Sequence, residues 1–198
     1  MFRTLAYLSP LIVGFGVAAA LALTSERPPK RRALAAGGVA GALLLLLLLS
    51  SFTESPKFWG PSALLVLSVG LLSAGVYLVC EAARAPRELS QIVASLVVCG
   101  LMSTLFWLGP IIRASADEGA SGTAIYNRIS LAMDVNPFFV MGYSIFDTDM
   151  LHLPLFYRMG MADFQHGVPS WGASSAGFAL AGAALAGLSF GLRRLTKR

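Results

Sequence analysis

Five stretches of about twenty consecutive, mostly apolar residues dominate the chain, at positions 5–24, 33–52, 61–83, 91–112 and 171–192. Each has the length that a helix needs to cross a hydrocarbon core roughly 30 Å thick. Only 13% of the 198 residues are charged and 56% are hydrophobic, whereas a soluble domain carries about a quarter charged residues. A cytosolic enzyme, a nucleic-acid-binding module and a disordered scaffold are therefore not expected. The expected fold is an all-α integral membrane protein, one transmembrane domain over residues 1–198, built as a bundle of five transmembrane helices. The first stretch follows Arg3 as a secretory signal would. It is longer than a signal core, however, and runs into Ser25-Glu26-Arg27-Pro28-Pro29-Lys30-Arg31-Arg32 with no small-residue cleavage site, so it reads as a retained helix.

In such a chain the net charge of +5 is a topology signal before it is a sign of any acidic partner. Ten of the 15 Lys and Arg residues lie in the 25–32 turn, the 84–90 turn and the tail beyond the last span. The positive-inside rule puts these three on the cytoplasmic side of a bacterial-type inner membrane and the short N-terminus outside.

One connection, residues 113–170, is too long for a plain connector. From Thr123 its spacing is helical, with Ile125, Ile129 and Met133 on one side, and predicts an amphipathic helix along the outer membrane surface. Next, Asn136 is placed to cap a helix that Pro137 opens. The apolar run it starts, through Phe139 to Phe146, would extend only about 15 Å as a helix. It can enter a membrane but not cross one, and two readings fit it equally: a re-entrant element, or a helix lying flat at the interface.

Asp147, Asp149 and His152, with Asp163 and His166 further on, are the only cluster of metal-capable side chains. Such groups could hold a divalent ion, but helix capping by Asp147 and Asp149 is the stronger reading, and no metal is expected. Gly14-Phe15-Gly16-Val17-Ala18-Ala19 matches a dinucleotide fingerprint only formally, because no strand precedes it. The chain carries no nucleotide-binding, metalloprotease or serine-hydrolase motif, and no histidine falls within a span to hold haem. Ser174 and Ser175 with His166 lack the nucleophile motif of an intramembrane protease. No catalytic residue, no cofactor and no enzyme activity are expected.

Small residues recur at helical spacing instead. Ser175, Ala179, Ala183, Gly187 and Gly191 do so on the last span, and Ala33, Gly37 and Gly41 on the second. These allow close approach of helices, either inside the bundle or between subunits. Leu43 to Leu49 identify nothing, and Cys80 and Cys99 read as inert packing residues. Glu81, the one acidic residue within a predicted span, lies a turn from the cytoplasmic end near Arg84 and should snorkel or pair.

Over residues 60–198 the order of features resembles ABC-2-type permeases, the membrane subunits of ABC exporters. It comprises an arginine-bearing turn (Arg84, Arg87), a span from Gln91 ending in Gly109-Pro110, an outer segment with Asn136-Pro137 heading an apolar helix, a last span and a basic tail. The resemblance implies short re-entrant helices in the outer segment. Such permeases usually have six spans and a cytoplasmic N-terminus, whereas five spans starting outside are read here. Two functions are therefore expected. One is a permease-like subunit that associates with itself or other membrane subunits, with an ATPase docking at the 25–32 and 84–90 turns. The other is a structural subunit of a respiratory or photosynthetic complex.

Overall fold

The computed structural model describes residues 2–51, 56–151 and 166–195. All regular structure among them is helical: α1 (Phe2–Leu23), α2 (Pro29–Ser51), a 3-10 turn (Pro56–Phe58), α3 (Trp59–Ala82), α4 (Arg87–Met102), α5 (Thr104–Asp117), α6 (Gly122–Asp134), a short α7 (Pro137–Phe139) that runs on as a π-turn (Val140–Ile145), and α8 (Trp171–Leu195). Helices α1, α2, α3 and α8 are each long and apolar enough to cross a membrane, and α4 with α5 makes a further candidate crossing bent by 53°. The chain is thus a multi-pass membrane protein by the length and composition of its helices, with four such helices or five counting the bent pair. In hydrocarbon a helix satisfies its own backbone, which is why apolar residues all round the axis still give stable elements.

The central helix is α3, which packs against α1, α2, α4 and, most extensively, α8. Glycines set these crossings. A Cβ at Gly182 would lie 2.6 Å from the Leu71 backbone, and one at Gly75 would lie 2.5 Å from the Gly182 carbonyl oxygen, so α3 and α8 meet backbone to backbone. Gly14 abuts Val98 of α4 and Gly16 abuts Val39 of α2, so the two glycines of the formal dinucleotide match separate α1 from two different neighbours. Ser73 Oγ donates to the Gly14 carbonyl at 2.7 Å, tying α3 to α1. Pro10 inside α1 has no N–H to give Ala6, and Ser9 Oγ supplies that carbonyl with a bond of 2.7 Å.

The small-residue ridge on α8 starts at this interface and leaves it. Ser175 and Ala179 face α3, while Ala183, Gly187 and Gly191 are exposed, with no atom within 4 Å of a Cβ at Gly187 or Gly191. The positions that actually pack recur nearer every 3.5 residues, at Ser175, Phe178, Gly182 and Ser189, as expected of two helices wrapping around each other. On α2, Gly37 and Gly41 are likewise exposed with open space around them. Only 11% of the α2 crossing window is buried, against 56% for α1, so α2 lies at the periphery. Cys80 and Cys99 are free and half-buried.

A second, smaller core lies beyond α4. There Ile129 and Met133 of α6 pack with Leu105 and Ile112 of α5 and with Phe139. The apolar stripe expected to face a membrane surface faces α5 instead, because the bend after α4 brings an apolar helix within reach.

Candidate functional site

The fourth apolar stretch, expected to run unbroken to Gly109-Pro110, breaks earlier, at Ser103. Ending α4 there would strand the carbonyls of its last turn, a heavy cost away from water. Each finds a donor. Ser103 N and Oγ both bond the Cys99 carbonyl, at 3.0 and 2.8 Å. Trp107 Nε1 reaches the Gly100 carbonyl at 3.1 Å, and Thr104 Oγ1 donates to the Leu101 carbonyl at 2.5 Å. The last, Met102 O, is taken by Asn136 Nδ2 at 3.1 Å from 34 positions away.

Asn136 therefore has two tasks. Its Oδ1 caps α7, accepting from Phe138 N at 3.0 Å and Phe139 N at 3.4 Å, with Pro137 in the first turn, while its amide closes the broken helix. It is only 1% exposed. The capping role was legible in Asn136-Pro137; the contact with α4 was not. A helix break has a local signal in Gly100 followed by Ser103-Thr104, whose hydroxyls can compete for backbone carbonyls.

The apolar run behind Asn136 folds against the bundle. Phe139, Val140, Met141, Ile145 and Phe146 are buried, and Phe146 is ringed by Phe2, Tyr7 and Phe58 at centroid distances of 5.3 to 5.9 Å. Asp147 ends the turn, exposed and with φ of 51°, a left-handed conformation that Asp tolerates better than most residues. Asp149 accepts a short hydrogen bond from the Tyr143 hydroxyl, which itself accepts from Leu151 N at 2.9 Å. Burial first, and the bond to Asp149 second, push the Tyr143 phenol well above its ordinary range, so it remains a donor. His166 packs edge-on to Tyr143 at 5.3 Å. His152 and Asp163 lie outside the described residues. Among the described residues no three His, Cys, Asp or Glu side chains converge as metal ligands would.

At the opposite end of the bundle Glu81 joins three helices. Arg32 of α2 approaches it at 3.0 Å through both guanidinium nitrogens, and Arg193 of α8 bonds the same carboxylate. Arg32 also lies over the Tyr77 ring at 6.0 Å. Glu81 was expected to snorkel or to pair near Arg84; it pairs with residues 49 and 112 positions away. Nearby the two basic turns come together, with Arg87 placed 3.8 Å from Glu26 and 2.7 Å from Glu88. Arg84 has φ of 62° and closes α3 with the paired bonds Arg84 N to Glu81 O and Ala85 N to Cys80 O, both 3.0 Å.

Set against known proteins, the chain matches no family model, no curated protein and no solved structure.

Proposed function

We propose that this chain is a non-catalytic, permease-like membrane subunit of a transporter, working with an ATP-hydrolysing partner that docks on its basic end. The observation that carries the reading is the meeting of the 25–32 and 84–90 turns in one surface. They are joined by Arg87 and Glu26 and rest on the Glu81 clamp, with Arg27, Lys30, Arg31 and Arg194 exposed around it. Basic charge gathered at adjoining helix ends above the Glu81 clamp suits a docking face. The bend at Ser103, braced by Asn136, adds support, since discontinuous helices are a recurring device of transporters. On this reading α4 and α5 form one crossing, giving five. The basic end is cytoplasmic in a bacterial-type inner membrane, and α7 with its π-turn is the re-entrant element that ABC-2-type permeases would have there.

A second reading, a structural subunit of a larger membrane complex, is favoured by the exposed small residues Gly37, Gly41, Ala183, Gly187 and Gly191, which offer a partner helix close approach.

Purification of the full chain in mild detergent, followed by mass spectrometry of co-isolating proteins, separates the two. An ATPase with a phosphate-binding loop is expected, retained by the native chain and lost when Arg27, Lys30 and Arg31 are replaced by Gln. Redox or light-harvesting subunits in its place would overturn the transport reading in favour of the second.

A further inference from the structure

Because α5 turns away at Ser103, α4 and α8 are left apart, and an apolar cleft opens between them. One wing, about 500 Å³, runs from Asp134 and Ala173 past Ser174 and Gly177 to Leu72 and Ala181. The other, about 400 Å³, lies between α5 and α6, with Trp107, Leu131 and the exposed Arg128 on its walls. Leu101 and Val135 line both wings, so the two are adjacent. Each has the volume of an ordinary small-molecule site.

The polarity of the cleft is concentrated at one level. Asp134 and Ser174 stand near Trp171, the first residue of α8, where an aromatic side chain marks a membrane interface. Below them Ser174 to Ala181 cover about 10 Å of helix, walled by Leu72 and Phe178. The Ser174 hydroxyl is buried and has no partner among the described residues. The Asp134 carboxylate is held by the Ser170 backbone, and burial pushes its pKa up, so its negative charge is undercompensated. A cation brought to this point would relieve that cost.

We infer that the cleft binds a bilayer lipid with an amine-bearing head group, its ammonium on Asp134, its polar head beside Ser174 and an acyl chain along the wall from Leu101 to Ala181. Helices α3 and α8, which wall the cleft, are long and apolar enough to cross a membrane, where lipid is the concentrated amphiphile. The inference does not depend on the transport reading, because a structural subunit could hold the same lipid.

The test uses the full chain, delipidated in mild detergent, and two tail-labelled lipids with identical chains, phosphatidylethanolamine and phosphatidylglycerol. Both carry the phosphate, so the comparison isolates the amine. The ethanolamine lipid should bind about tenfold more tightly, as a charge-assisted hydrogen bond provides. Asp134→Asn should abolish that preference. Gly177→Leu should weaken both lipids by filling the cleft, and it has room to fold because no atom lies within 4 Å of a Cβ there; Ala181→Leu is the second filler if it does not. Equal affinity for the two lipids, a preference that survives Asp134→Asn, or undiminished binding by folded filler variants would overturn the inference.

Discussion

A glycine is informative in this protein only through what lies opposite it. Gly182 and Gly187 are both on α8 and look alike in the sequence, yet one touches the α3 backbone and the other faces open space. Gly182→Leu should therefore force α3 and α8 apart and cost about 3 kcal/mol or more, as overpacking against rigid backbone does. Gly187→Leu should leave thermal unfolding in detergent unchanged within about 0.5 kcal/mol, so any effect it has should appear in association with partners. Asp134 makes a second prediction at this scale. Its folded pKa is raised by burial, so the stabilisation linked to its protonation is present below the ordinary carboxylate pKa and is lost as pH rises through the folded value. Asp134→Asn in lipid-free detergent should unfold at a higher temperature than the native protein at neutral pH. The gap should close as pH falls through the carboxylate range; a gap that widens on acidification would contradict the assignment.

Among the elements, the broken α4–α5 crossing is the one whose integrity hangs on a distant residue. Asn136→Leu removes a cap and strands the Met102 carbonyl, at a combined cost of about 2–4 kcal/mol. Asn136→Asp should be intermediate, since its carboxylate keeps the bonds to Phe138 N and Phe139 N but cannot donate to Met102. Comparison of unfolding free energies for the two variants separates capping from bracing. Identical losses would mean that the cap contributes nothing, and an Asn136→Asp variant as stable as the native protein would mean that the Met102 contact contributes nothing. The turn between α5 and α6 behaves more simply. Gly119 has φ of 86° and its N–H bonds the Ala116 carbonyl at 3.0 Å, a left-handed helix ending.

For the whole molecule, the Glu81 clamp ties α2 and α8 to the central α3. Replacing Glu81 with Gln would leave Arg32, 9% exposed, facing an uncharged partner. The expected loss is about 3 kcal/mol, recovered in part by Arg32→Met in the same chain. A double variant no better than Glu81→Gln would show that the clamp's worth lies with Arg193 alone. Topology is tested at the same scale, with reporters placed at Pro29 and after Arg198 expected to read cytoplasmic and one at Gly119 external. A cytoplasmic reading at Gly119 would remove α4–α5 as a single crossing.

The long apolar helices, the helical register of Gly122–Asp134 and the cap at Asn136 could all be read from the sequence, because each depends on residues within a turn or two of one another: hydrophobic length, spacing of Ile129 and Met133, and an Asn-Pro pair. What required the tertiary structure was every pairing across the bundle. In helices that are apolar all round, hydropathy does not distinguish the face that meets another helix from the face that meets lipid. The regular four-residue ridge of α8 therefore drifts out of contact while Gly182 lies inside it, Glu81 selects Arg32 and Arg193 over the neighbouring Arg84, and a bend at Ser103 opens a cleft where the sequence reads as one continuous span. These outcomes follow from shape complementarity and from the need to satisfy carbonyls away from water, and both are settled only when distant segments are brought together.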